Sequence, residues 1–83
     1  MEFQDELAEV LGRMDLANPV IQLETSPGGK VGGYVVSRAF EGKSQMDRQN
    51  MVWDFLEGVL TKEQQLRIIS ILTLIPDEAD VAA

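Results

Sequence analysis

The chain contains no cysteine and no histidine. Without cysteine there is no disulfide, no thiolate nucleophile and no thiolate ligand for a metal. Without histidine the commonest general base near neutral pH is missing, and with it the commonest nitrogen ligand for transition metals. Ser37 and Ser44 therefore have no imidazole to activate them, which excludes a serine-histidine triad. No apolar run approaches the roughly 20 residues that would span a bilayer. Basic side chains are scarce as well: seven Lys and Arg stand against fourteen Asp and Glu, a net charge of −7. That balance argues against tight nonspecific binding to nucleic acid, where phosphate neutralisation supplies most of the affinity. Glu2, Asp5 and Glu6 at the start are wrong for a signal or transit peptide, so a cytoplasmic address is expected.

What is present describes one small globular domain. At 83 residues such a chain buries only about two-thirds of the surface its unfolded form exposes, so its core has to be economical. With 45% hydrophobic and 25% charged residues the composition is that of a folded protein, not a disordered one. The expected division is a single domain over residues 1–76 and a flexible acidic tail over 77–83.

Helix and strand signals alternate along it. Phe3, Leu7, Val10, Leu11 and Met14 share one helical face, with acidic residues in the first turns and Asn18-Pro19 as the stop. Ile21, Leu23 and Thr25 alternate with Gln22 and Glu24, the pattern of a half-buried strand. Ser26 to Lys30 and then Gly32-Gly33 read as a flexible turn, and Tyr34 to Ser37 resumes β chemistry, so an antiparallel hairpin is predicted. Ser44 to Asp47 has capping-box spacing and opens a second helix with an apolar stripe of Met51, Val52, Phe55, Leu56, Val59 and Leu60. Thr61 to Gln64 has the same spacing and starts a short third helix ending near Arg67. Ile68 to Ile75 is too apolar and β-branched for a surface helix, and Pro76 closes it, so it reads as a buried central or parallel strand.

The resulting order is α-β-β-α-α-β, an α+β domain. Two helices between the second and third strands make a crossover long enough for parallel pairing, of right-handed sense. A three-stranded mixed sheet with helices packed on one face follows.

Several short patterns invite a chemical reading and have simpler ones. Gly29-Lys30-Val31-Gly32 contains the GxxG of phosphate-clamping KH loops, but here it lies between two strands, where a hairpin turn accounts for it. It matches neither a P-loop nor a dinucleotide fingerprint. Asp77, Glu78 and Asp80 lack the preorganised cage that calcium requires. Asp54 and Glu57, one turn apart, are solvent-facing positions opposite an apolar stripe. Met46 and Met51 read as packing residues, and Trp53 as a core-edge aromatic or a partner contact. No catalytic, cofactor or metal site emerges, and no enzyme is expected.

One pattern stands against the general acidity. Residues 26–52 hold Lys30, Arg38, Lys43 and Arg48 against Glu41 and Asp47. The rest of the chain has three basic and twelve acidic side chains. The island overlaps "FEGKSQMDRQNMVWDFL", residues 40–56, and with "VVSRA" before it this stretch resembles the BolA family of small proteins. The positions that carry the resemblance are Val35, Val36, Ser37, Phe40, Gly42, Arg48, Met51, Val52, Trp53 (where the family usually has tyrosine) and Leu56. Ser70, Ile71, Pro76 and Glu78 resemble its closing strand, and the likeness runs along nearly the whole chain.

The resemblance implies a class II KH-like fold and a non-enzymatic role. It implies as partner a monothiol glutaredoxin-like or other protein in iron–sulfur, redox or stress-response work, with no membrane role. The alternative it carries is a transcriptional regulator binding DNA or RNA, weakly, through the loop and helix start at 40–53. The implied surface comprises Arg38, Phe40, Gly42, Lys43, Arg48, Trp53 and Arg67. One departure stands out. Arg67 occupies the place of the family's cluster-ligating histidine, and the hairpin loop has Gly and Lys where Cys or His can complete that site. A guanidinium stays protonated and has no lone pair for iron.

Overall fold

A computed structural model gives the fold, and it describes residues 2–82. The elements are α1 (Phe3–Gly12), β1 (Val20–Thr25), β2 (Val31–Val36), a 3-10 turn (Arg38–Phe40), α2 (Gln45–Val59), α3 (Lys62–Gln65), β3 (Ile68–Leu74) and α4 (Pro76–Ala82). The sheet has three strands in the order β1-β2-β3, antiparallel between β1 and β2 and parallel between β2 and β3. This is the mixed α+β sheet that the α-β-β-α-α-β pattern predicts, with α4 added at the end.

The core fills one face of the sheet. Ile21, Leu23 and Thr25 of β1 stand beside Val35, Gly33 and Val31 of β2. Val31, Gly33 and Val35 stand in turn beside Ile68, Ile71 and Thr73 of β3. Against these pack Leu7 and Leu11 of α1 and Val52 and Leu56 of α2, all four fully buried. Met51, Trp53 and Phe55 border the cluster, half-buried. Val59, expected in the apolar stripe, is exposed. The inward position that the apolar pattern passed over is Arg48, which is buried together with Val52 and Leu56.

Three further readings are corrected. Gly32 and Gly33 belong to β2, not to the turn. The turn itself is Ser26–Lys30, closed by the Ser26 N–H on the Lys30 carbonyl at 2.7 Å and by Gly29 at φ +85°. Gly33 is needed because a Cβ there would collide with the Gln22 carbonyl oxygen and lie 2.9 Å from Leu23 Cα. β3 is parallel but is an edge strand, since β2 takes the centre, and only alternate side chains of it are buried. Residues 77–82 are helical rather than an unstructured tail. Pro76 supplies a fixed φ suited to a first helical turn. The Glu78 carboxylate accepts the Ile75 N–H at 2.9 Å, the return half of a capping box.

Both outer edges of the sheet are tied to side chains. On β1 the Leu23 carbonyl accepts from Gln4 Nε2 of α1 at 2.9 Å, while Gln4 Oε1 accepts from the Thr25 hydroxyl at 2.6 Å. On β3 the Ile71 carbonyl accepts from Gln49 Nε2 at 2.7 Å, and the Thr73 carbonyl from Arg48 and Gln45 of α2. These amides hold the helices in register with the strands beneath them. Helix starts are satisfied as expected: Ser44 Oγ accepts the Asp47 N–H, and Thr61 with Gln64 forms a complete capping box.

Gly33→Ala is expected to destabilise the protein by about 3 kcal/mol or more, the range of severe backbone and overpacking changes. Gly32→Ala should cost about 1 kcal/mol, because its Cβ meets only the Ser70 carbonyl at 3.3 Å. Urea midpoints for the two variants check this, and equal losses would contradict the register.

Candidate functional site

The residues that carry the family resemblance build a corner where β2 leaves the sheet. Ser37 is buried, and its N–H reaches the Leu74 carbonyl at 2.9 Å. Its hydroxyl donates to the Ala17 carbonyl at 2.9 Å and accepts the Ala39 N–H at 3.1 Å. One small side chain thus ties the loop before β1 to the turn after β2. Phe40 then plunges into the core with no exposed surface. Gly42 takes φ +76°, a left-handed conformation that favours glycine. Lys43 follows, bonded back to the Phe40 carbonyl at 3.2 Å, and Ser44 caps α2.

Arg48 locks this corner from below. Only 6% of it is exposed. Its Nε donates to the Lys43 carbonyl at 3.0 Å, and its Nη1 to the Thr73 carbonyl at 3.3 Å and to Glu78 Oε1 at 2.8 Å. A buried cation is tolerable only when paired and hydrogen-bonded, and these three acceptors do both. The same Glu78 oxygen takes the Ile75 N–H. That backbone bond, and then the bond from Arg48, hold its carboxyl below the ordinary value of 4.5.

The expected surface is therefore divided. Arg48 and Phe40 are corrected: both are interior residues that shape the corner, and neither reaches a partner. Arg38, Gly42 and Lys43 are exposed at that corner, and Trp53 is half-buried farther along α2. Arg67 lies at the opposite end of the sheet, next to Ile68, with its guanidinium 4.7 Å from the centre of the Phe3 ring. β2 has six residues between the two ends, about 20 Å of strand, so Arg67 shares no site with Arg38 and Lys43. With Arg48 neutralised by Glu78, the exposed cations of the corner, Arg38 and Lys43, share their segment with the exposed acids Glu41 and Asp47.

The surroundings of Arg67 do not suit an iron–sulfur cluster. They comprise Phe3, Gln4, Thr25, Gly29 and Val31, together with Glu2. None offers the thiolate or imidazole that such clusters take. Among the described residues no three Asp or Glu side chains gather into a metal-binding group.

The sheet face away from the helices is open. It displays Val20 at 56% exposure and Leu72 at 56%, with Ile69 at 60% beside them. Tyr34 stands between Gln22 and Leu72 on the central strand. Toward the Arg38 end this face deepens into a depression of about 320 Å³, walled by Asn18, Val20, Tyr34, Val36, Arg38 and Ala79. Asn18 turns the chain there at φ +41°. The signal for this face lay in β3, whose apolar residues occupy both faces; Ile69 and Leu72 read as burial in a sequence but are exposed. Comparison of the chain with protein-family models, characterised proteins and solved structures finds no match in any of the three.

Removing the Arg48 side chain is expected to cost about 2–3 kcal/mol, because the Thr73 and Lys43 carbonyls lose a charged donor. Glu78 adds a pH dependence of known sign. Its folded value is depressed, so its contribution is complete above pH 4.5 and is lost as pH falls through the folded value. Acid titration of Glu78→Gln should show a shallower loss of stability below pH 4.5 than the natural chain does. Superimposable acid profiles would contradict the Arg48–Glu78 contact.

Proposed function

We propose that this chain is a non-enzymatic BolA-like interaction module, a protein adaptor of the iron–sulfur/redox or stress-response type that ligates no cluster itself. The observation that carries the interaction role is the uncovered sheet face with exposed Val20, Ile69 and Leu72. Contiguous apolar surface on a small domain marks a place where another molecule sits. The BolA-like part of the reading is supported by the sequence resemblance together with the element order and the corner formed by Ser37, Phe40 and Gly42. Among the described residues no helix is long and apolar enough to cross a membrane, and the proposed setting is the cytoplasm.

The nucleic-acid alternative is the weaker one. Its strongest residue, Arg48, is paired internally with Glu78. Arg38 and Lys43 remain, on a body of net charge −7. Two phosphate contacts give low affinity and a shallow dependence on salt. DNA binding at physiological salt is expected at micromolar Kd or weaker by fluorescence anisotropy. Nanomolar binding would reverse the order of the two readings.

The adaptor reading is tested with a cluster-loaded monothiol glutaredoxin. Calorimetry should detect a complex, and Leu72→Asp should weaken it about tenfold as a charge enters the apolar face. The visible spectrum of the cluster should stay unchanged with the natural chain and shift with Arg67→His, which restores an imidazole. A spectral shift with the natural chain equal to that of the variant would refute the claim that it gives no ligand. Absence of any complex would remove the glutaredoxin as partner.

A further inference from the structure

We propose that the depression at the Arg38 end of the open sheet face binds a small monocarboxylic acid with an apolar body. This proposal does not rest on the adaptor reading, although Val20 borders both the apolar face and the depression. Its size, about 320 Å³, is at the small end of the range of about 300–1,000 Å³ seen for ligand pockets. Val20, Val36, Pro76 and Ala79 supply apolar walls, and Tyr34 an aromatic one. Arg38 is the charged side chain among the lining residues. It makes no ion pair or side-chain hydrogen bond among the described residues, so no described side chain competes for its donors. A guanidinium fork matches a carboxylate with two parallel hydrogen bonds. An anion with several charges is disfavoured by the −7 body around it.

The walls are fixed before any ligand arrives. Ser37 bonds to the Ala17 carbonyl and so holds the loop that carries Asn18 over the end of the sheet. Asn18 at φ +41° turns the chain at this rim, a conformation that asparagine accepts more readily than most residues. On the other side Glu78, held by Arg48 and the Ile75 N–H, anchors the helix that carries Ala79. A cavity held on both sides loses little ordering entropy on binding, which favours even a small ligand. The Ser37 hydroxyl is already committed to Ala17 and Ala39, leaving Arg38 as the anchor for the acid group.

Octanoate is the probe, titrated into the isotope-labelled natural protein and followed by amide chemical shifts. Shifts should be confined to the segments around Asn18, Tyr34, Arg38 and Ala79, with Kd on the order of 0.1–1 mM for a ligand of this size. Arg38→Gln, at an exposed residue whose side chain bonds to nothing described, should leave the spectrum folded and weaken octanoate about tenfold. Octanol should bind the natural protein about as weakly as octanoate binds that variant. Ala79→Leu, which fills the cavity and keeps Arg38, should abolish binding of both. Equal octanoate affinity with and without Arg38, or shifts centred on Arg67, would overturn the site. Tighter binding of a short peptide ending in a free leucine carboxylate than of octanoate would overturn the free acid as its occupant.

Discussion

The guanidinium of Arg48 joins parts of the chain that lie far apart in sequence. It sits under the loop after β2, at the outer edge of β3 and against the first turn of α4. Each of those segments offers it an acceptor: the Lys43 carbonyl, the Thr73 carbonyl and the Glu78 carboxylate. One buried cation supplies donors to all of them. The geometry of the corner, the docking of α4 and the closure of β3 are therefore coupled, and a change in any one of them is felt at the others. The depression on the open face inherits that coupling, because Ala79 of α4 forms one of its walls.

This arrangement explains how a basic island sits in an acidic protein with one of its cations turned inward. Arg48 belongs to the interior, and its charge is balanced by Glu78 across thirty positions of sequence. Lys43 contributes its backbone carbonyl to the same contact while its side chain faces solvent. Arg38 alone stands beside apolar surface. Three cations close together in sequence thus have three different surroundings: the interior, open solvent and the rim of an apolar depression.

Much of the fold was legible in the sequence, for physical reasons that can be named. The 3.6-residue spacing of Phe3, Leu7 and Leu11, the alternation in β1 and the capping residues Ser44 and Thr61 are local signals, and each produced the element it predicts. What local patterns could not carry was position within the sheet. β3 is apolar on both faces, so it resembled a central strand, whereas the hairpin had already placed β2 in the middle. Gly32 and Gly33 resembled a turn because their roles, close approach to Ser70 and to Gln22, depend on neighbours in space. Arg48 and Glu78 were visible as motif residues, but a motif does not say whether its residues face a partner or each other. The depression was hidden for the same reason, since its lining comes from three separate stretches of chain.

The side-chain amides along the two sheet edges have a further consequence. An edge strand normally offers a ladder of peptide groups on which any other chain can build, with little regard to its sequence. Gln4 occupies one such acceptor on β1, and Gln45, Gln49 and Arg48 occupy two on β3. Association that reads only the peptide backbone is therefore obstructed on both sides. Whatever meets this domain must instead recognise the identity of its side chains, and a small protein that lives among many others gains selectivity by closing off the indiscriminate route.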